Sequence, residues 1–238
     1  MKRKQALRAL WLAAGLAMIP WLPAHAWEAP ETDLKRYCTL TMDFETPHTP
    51  WARPYARGPL RGYYFIYTRS EGMQTHAREA IELMQRLDLE LDASYLYNFY
   101  SEHWFGGDAG ERRIARLTAK PHDVFIFHDL PPSKLPTNPL RDGRTPFLEK
   151  VRAGTGVVLI GTDDGQLFAD AQVMEGVPPF LAGTGAVKAM ALGKGRIIQM
   201  PPRPLIPYRI GWEVEYDYWQ EKLTRAVLWA ARRESPVQ

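Results

Sequence analysis

Five short apolar runs, spaced about thirty residues apart, constrain this chain more than any other feature. They are Tyr63 to Tyr67, Tyr95 to Phe99, Val124 to Phe127, Val157 to Ile160 and Arg196 to Met200. Brief runs that are apolar on both sides suit strands buried on both faces of a sheet. Helical spacing fills the gaps between them. Ala77, Ala80, Ile81, Met84 and Leu87 recur on one helix face, with Thr75 as N-cap. Asp108-Ala109-Gly110-Glu111 reads as a capping box opening a helix that carries Ile114 and Leu117. Phe147, Leu148 and Val151 form a short helix closed by Gly154, and Trp219, Leu223, Ala226, Val227 and Ala230 mark the inner face of a last one. This alternation predicts an α/β fold, a doubly wound, mostly parallel flavodoxin-like sheet with helices on both faces and strand order 2-1-3-4-5. One stretch departs from the rhythm. Ala186 to Leu192, Gly193-Lys194-Gly195 and Arg196 to Met200 predict a β-hairpin added near one edge.

The regular rhythm begins only near residue 61. Lys2, Arg3, Lys4 and Arg8 precede an apolar run from Ala9 to Leu22, and Ala24-His25-Ala26 follows. A basic start, a short apolar core and small residues at the end predict a signal peptide over 1–26, cleaved after Ala26, and a periplasmic or extracellular product. The run is shorter than the ~20 residues that span a bilayer, so no stable membrane insertion is expected after cleavage. Removal of the four basic residues leaves 26 Lys+Arg against 27 Asp+Glu, formally −1, which argues against a nucleic-acid partner. Residues 27–60 read as an irregular lead in which only Tyr37 to Phe44 alternates like a strand; 61–233 form the α/β domain, and 234–238 a tail or the start of a linker. Cys38, the single cysteine, reads as a small buried hydrophobe, the commoner case, or as a reactive thiol. Metal-ligand spacings, a Walker loop and a dinucleotide glycine motif are absent, so no cofactor and no metal site is expected.

Three segments carry a resemblance. Phe147 to Gly165 (FLEKVRAGTGVVLIGTDDG), Leu192 to Pro202 (LGKGRIIQMPP) and Leu223 to Arg233 (LTRAVLWAARR) resemble the class I glutamine amidotransferase-like superfamily, in particular its ThuA-like and β-galactosidase trimerisation-type branch. Asp123 to Pro132 fits the preceding strand of that pattern. The resemblance implies a nucleophile elbow at Gly161-Thr162-Asp163-Asp164-Gly165, with Asp163 where the family's catalytic cysteine stands. A carboxylate cannot form the thioester intermediate. No histidine follows His128, so the downstream base is missing as well. The resemblance therefore implies a non-catalytic relative with a binding or assembly role, related to carbohydrate.

Open α/β sheets bind ligands at the carboxyl ends of their strands. Those ends offer Thr68, Arg69, Ser70 and Glu71; Asn98, Tyr100, Glu102, His103 and Trp104; His128 and Asp129; and Thr162, Asp163 and Asp164. Arg69, Trp104, His128, Asp163 and Asp164 are the expected ligand-binding set, converging on one rim that suits a carbohydrate or small polar ligand. The alternative is a periplasmic ThuA-like hydrolase or sugar-modifying enzyme with His128, Asp129 and Asp163 as acid/base or metal-binding groups; a third reading is a structural protein docking a partner or a second copy. Against these stand plainer roles: Asp163-Asp164-Gly165 as a turn, the aromatics from Tyr95 to Phe105 as core, and Arg112-Arg113 and Arg232-Arg233 as solvated helix faces.

Overall fold

The computed structural model describes residues 57–69, 73–98, 101–176, 178–181, 187–203 and 212–233, without the side chains of 69, 73–77 and 212–214. The predicted signal peptide, the alternating stretch Tyr37 to Phe44, Cys38, Ser70, Glu71, Tyr100 and the tail 234–238 lie outside the described residues.

The predicted rhythm becomes β1 (Leu60–Arg69), α1 (Met73–Arg86), β2 (Leu89–Asn98), β3 (Glu102–Trp104), α2 (Gly107–Thr118), β4 (Val124–His128), α3 (Arg144–Ala153), β5 (Gly156–Ile160), β6 (Gln172–Val173), β7 (Lys188–Leu192), β8 (Gly195–Met200) and α4 (Trp212–Ala230). Eight strands form one sheet in the order β3-β2-β1-β4-β5-β8-β7-β6. Its parallel centre, β2-β1-β4-β5-β8, has the expected strand order. The expected hairpin is β7–β8, antiparallel through Leu192↔Gly195. Two short antiparallel edge strands, β3 and β6, carry too few residues for an alternation to show in sequence.

Alternation along each central strand divides the core between two faces. Tyr64, Ile66, Val124, Ile126, Val158 and Ile160 pack with Leu83 of α1 and Leu223 and Val227 of α4. Tyr63, Phe65, Phe125, Phe127, Val157 and Leu159 pack with Ile114 of α2 and Phe147 of α3. Phe65 stacks on Phe127 at 4.5 Å, and Phe147 meets Phe125 and Phe127 edge-on at 5.1 and 5.4 Å. Full burial of each such side chain contributes about 1.5–3 kcal/mol. Arg86 ties α1 to α4 through Asp217 and through Glu221 at 3.7 Å.

Local details differ from expectation. Ile81 is 44% exposed while Leu83 is fully buried, so the inner stripe of α1 is Ala80, Leu83 and Met84, continued by Leu87 just past its end. An apolar stripe containing Ala and Leu at adjacent phases leaves the choice to the neighbouring layer. Thr75 lies inside α1, not before it. The capping box does not form: α2 begins at Gly107, capped by Gly106 in the left-handed region (φ 85) without a side-chain bond. Arg113 is 3% exposed rather than solvated, for reasons given below.

Candidate functional site

His128 closes β4 with its ring on the α1/α4 side, 1% exposed. Its Nδ1 lies 2.8 Å from the hydroxyl of Tyr64, and its ring centre is 6.4 Å from that of Trp219. Asp129 follows at the exposed rim with φ 52, a left-handed conformation that Asp tolerates better than most side chains. Its N–H donates to the Ile160 carbonyl at 2.8 Å, continuing the ladder past the end of β4. Its carboxylate lies against Gly161, itself at φ 65, where a Cβ would stand 2.2 Å from Asp129 Oδ1 and 3.0 Å from Pro202. Only glycine fits that position. Gly161 is thus explained by the approach of Asp129.

Trp104 and Asp164 are carried to the opposite side of the sheet. Trp104 pairs with Leu96 across β2–β3, and both belong to the α2/α3 layer. Its Nε1 donates to the Lys134 carbonyl at 3.3 Å. Asp164 accepts the backbone N–H of Ser133, and Arg144 donates to the carbonyls of Ser133 and Leu135. Together they hold the single 3-10 turn Pro132–Lys134 that follows β4. Both residues therefore bind the chain's own backbone. Asp163 is exposed, and the Arg69 side chain lies outside the described residues. Of the expected rim, His128 and Asp129 stay together, while Trp104 and Asp164 face away from them.

A second group joins His128, and it is absent from the expected set. Glu79 of α1 is 0% exposed and meets Arg203 Nε at 3.0 Å. Tyr216 of α4 lies under the guanidinium of Arg78 at 4.2 Å and that of Arg203 at 5.4 Å. Gln220 donates through Nε2 to the Glu79 backbone carbonyl at 2.9 Å. A carbonyl can only accept, so this bond fixes the amide orientation and leaves Oε1 pointing elsewhere. Tyr216 Oη, Trp219 Nε1 and Gln220 Oε1 are buried with no hydrogen-bond partner among the described residues. Such atoms are uncommon in native proteins, because each costs about 1–3 kcal/mol when unmet.

The electrostatics keep this group's phenols protonated. Burial, then the Glu79 carboxylate, Tyr216 and Asp129, push the Tyr64 hydroxyl well above its ordinary range. Burial and Glu79 likewise raise Tyr216, against the opposing pull of Arg78. The group can donate and accept hydrogen bonds at neutral pH, with a tyrosine–histidine pair at its floor. Among the described residues no three His, Cys, Asp or Glu side chains come together as a metal site.

The sequence carried a signal for part of this group. Residues 216, 219, 220 and 223 fall at i, i+3, i+4 and i+7, so Tyr216 and Gln220 share the stripe of Trp219 and Leu223. Polar tips on an apolar stripe mark a helix that buries more than core. Glu79 was hidden by the misplaced phase of α1.

A different polar network lies toward the amino ends of the strands. Arg113 donates to the Ala93 carbonyl at 3.0 Å and to Ser94 Oγ at 3.1 Å, and faces Asp92 at 3.6 Å. Tyr63 meets Ser94 at 2.8 Å, and His122 lies 3.9 Å from Asp92. Burial alone would raise Asp92, but His122, Arg113 and Lys120 outweigh it and hold the carboxyl below its ordinary value. This network is why Arg113 points inward while Arg112 stays exposed.

No family model matches the chain, and no curated protein matches it. Among the solved structures that do match is Cytoplasmic Protein STM1381 from Salmonella typhimurium LT2, aligned over 70% of this chain and 99% of its own. The two share 10% sequence identity at a TM-score of 0.40, a likeness that carries no argument about function.

Proposed function

We propose that this chain is an exported, non-catalytic binding domain of flavodoxin-like, amidotransferase-like type, and that it takes a small polar ligand at the carboxyl ends of β1 and β4. The observation that supports the reading is the buried group of Tyr64, His128, Glu79, Tyr216, Trp219 and Gln220, which mixes aromatic faces with polar atoms not met by the described residues. A core needs neither the histidine nor the glutamine, and open α/β sheets take ligands at this end. Glutaminase chemistry is not part of the reading, because Asp163 stands at the elbow and no histidine follows His128. The exported protein should begin at Trp27 by intact mass. Incubated with glutamine, it should release no ammonia above a heat-killed control; turnover abolished by Cys38→Ser would overturn the assignment of the elbow. Thermal-shift screening of residues 27–238 against mono- and disaccharides is the direct test. A ligand whose stabilising effect is unchanged in Trp219→Phe and His128→Gln would place binding elsewhere.

One observation favours a second reading. The Tyr64–His128 pair stands beside the Asp129 carboxylate, an arrangement suited to acid/base work in a hydrolase. Aryl glycoside or aryl ester turnover lost in His128→Gln, with the fold retained, would select it over the binding domain.

A further inference from the structure

The formal charge of −1 beyond the predicted signal peptide hides an uneven distribution. At the amino ends of β5 and β8, three turns meet. The Lys194 N–H, in the β7–β8 turn, donates to the Arg152 carbonyl at the end of α3 at 2.9 Å. Arg232, just past α4, donates from its guanidinium to the Lys194 carbonyl. Lys150 stands in the same last turn of α3 as Arg152. Arg152, Lys194 and Arg232 are exposed and Lys150 is half-buried, and none of the four forms an ion pair with a described residue. Arg57, before β1, and Lys120, before β4, are exposed along the same end.

Most acids near this corner are already matched. Asp123 faces Arg233 at 3.5 Å, Glu90 faces Arg61 at 3.6 Å and Asp92 faces Arg113 at 3.6 Å. Glu149 of α3 is exposed. Cations in the last turn of a helix ordinarily serve its dipole. Here the four exceed what is needed: Glu149 and two helix ends, each equivalent to about half a negative charge, still leave about two positive charges. Among the described residues, the exposed large apolar side chains lie elsewhere, on helix faces, past the carboxyl end of β4 and on β6. A protein partner takes an apolar centre, and single-stranded nucleic acids and sugar polymers take aromatic faces. A layer of phosphate head groups needs cations alone.

We infer that this end of the domain docks on an anionic phospholipid surface, with Lys150, Arg152, Lys194 and Arg232 as its contact. The inference stands apart from the ligand site: docking by the amino ends turns the carboxyl ends, and the group around His128, toward open solution. Each Lys or Arg at such a surface contributes about fivefold in affinity, and the attraction fades beyond a Debye length of about 10 Å at 0.1 M salt. Contact is therefore peripheral, reversible and salt-sensitive.

Vesicle co-sedimentation of residues 27–238, which contain the whole described fold, tests this. Phosphatidylcholine vesicles with one third phosphatidylglycerol should bind the protein at least about tenfold more tightly than phosphatidylcholine alone at low salt, and about 1 M salt should abolish the difference. Arg152→Gln/Lys194→Gln should lose most of the preference. Arg225→Glu, which changes net charge by the same amount on the exposed face of α4, should keep it, with melting temperature checking that each variant folds. Equal binding to the two vesicles at low salt would overturn the inference, and this arm needs no variant. An equal loss in Arg225→Glu would trace binding to net charge and overturn the patch, as would a preference unchanged in the double variant. Binding to soluble polyphosphate without binding to vesicles would replace the membrane by a soluble polyanion. None of these outcomes touches the sugar screen, which reads the opposite end.

Discussion

Two buried polar groups occupy opposite ends of one sheet, and they are completed differently. Toward the amino ends, Arg113 reaches Ala93, Ser94 and Asp92, Ser94 reaches Tyr63, and His122 backs Asp92. None of these side chains carries a buried atom without a partner. Toward the carboxyl ends, Tyr216, Trp219 and Gln220 each present one that the described residues leave unmet. A buried ionic network persists when its partners satisfy each other, and its loss falls on the fold. A group with buried atoms that the described residues leave unmet has no such account. The contrast separates a satisfied network from an unsatisfied one in a chain where both read simply as buried polar residues.

The largest effect that could break this contrast is at Arg113. Arg113→Met should cost on the order of 3 kcal/mol, because the buried Ala93 carbonyl and Ser94 hydroxyl lose their donor and the half-buried Asp92 loses one of its cations. Chemical denaturation would measure it, and a loss below about 1 kcal/mol would make the amino-end network dispensable. Phe125→Ala should cost a similar 3–5 kcal/mol and sets the scale for a fully buried residue at the sheet's centre.

A smaller and pH-dependent effect belongs to Asp92. Its folded pKa lies below the ordinary carboxylate value, so its contribution is present above about pH 4 and lost as pH falls through the lower folded value. Asp92→Asn should therefore cost about 2 kcal/mol at neutral pH, and the gap to wild type should close in acid. A gap that stays constant from neutral pH to pH 3 would remove the ionic role.

The carboxyl-end group predicts the opposite pH sign. Tyr64 and Tyr216 are raised above the ordinary phenol value of about 10, so their contribution is present below that pH and fades as pH rises above it. Alkaline titration of tyrosinate absorbance should show equal numbers of native-titrating tyrosines in wild type and in the double variant Tyr64→Phe/Tyr216→Phe. A smaller number in the variant would mean that at least one of the two ionises in the folded protein. The smallest effect sharpens the comparison most. Tyr216→Phe should raise stability by about 1 kcal/mol, because the hydroxyl it removes is buried without a partner among the described residues, and a loss of that size in thermal denaturation would show that the hydroxyl is met.

Much of this architecture was legible in the residues. Runs such as Val124 to Phe127 and Val157 to Ile160 are apolar at consecutive positions, and only a strand covered on both faces needs that. Five of them joined by helix-length segments left few topologies, and the parallel centre has the order expected. Strand ends were less legible. The half of β2 from Leu89 to Ser94 alternates with Glu90 and Asp92, which lowers its apolar density below that of a buried run. Asp92 is held there by Arg113 of α2, and Glu90 faces Arg61 of β1 at 3.6 Å.

Periodicity and composition thus determined that the sheet exists, which strands are central and that no histidine follows His128. Which polar side chains meet was decided only in three dimensions. Trp104, Asp164 and His128 all stand at or just past strand ends, yet the first two turn to the α2/α3 layer to hold the Pro132–Lys134 turn while His128 faces Tyr64 and Trp219. A one-residue change of parity moves a side chain to the other face of a sheet, and loop geometry after the strand end sets that parity. Glu79 and Gln220 are 141 residues apart in sequence, and their contact depends on the docking of α1 beside α4. Local pattern carries the period of an element; the partner of each buried polar atom is fixed by how the elements pack.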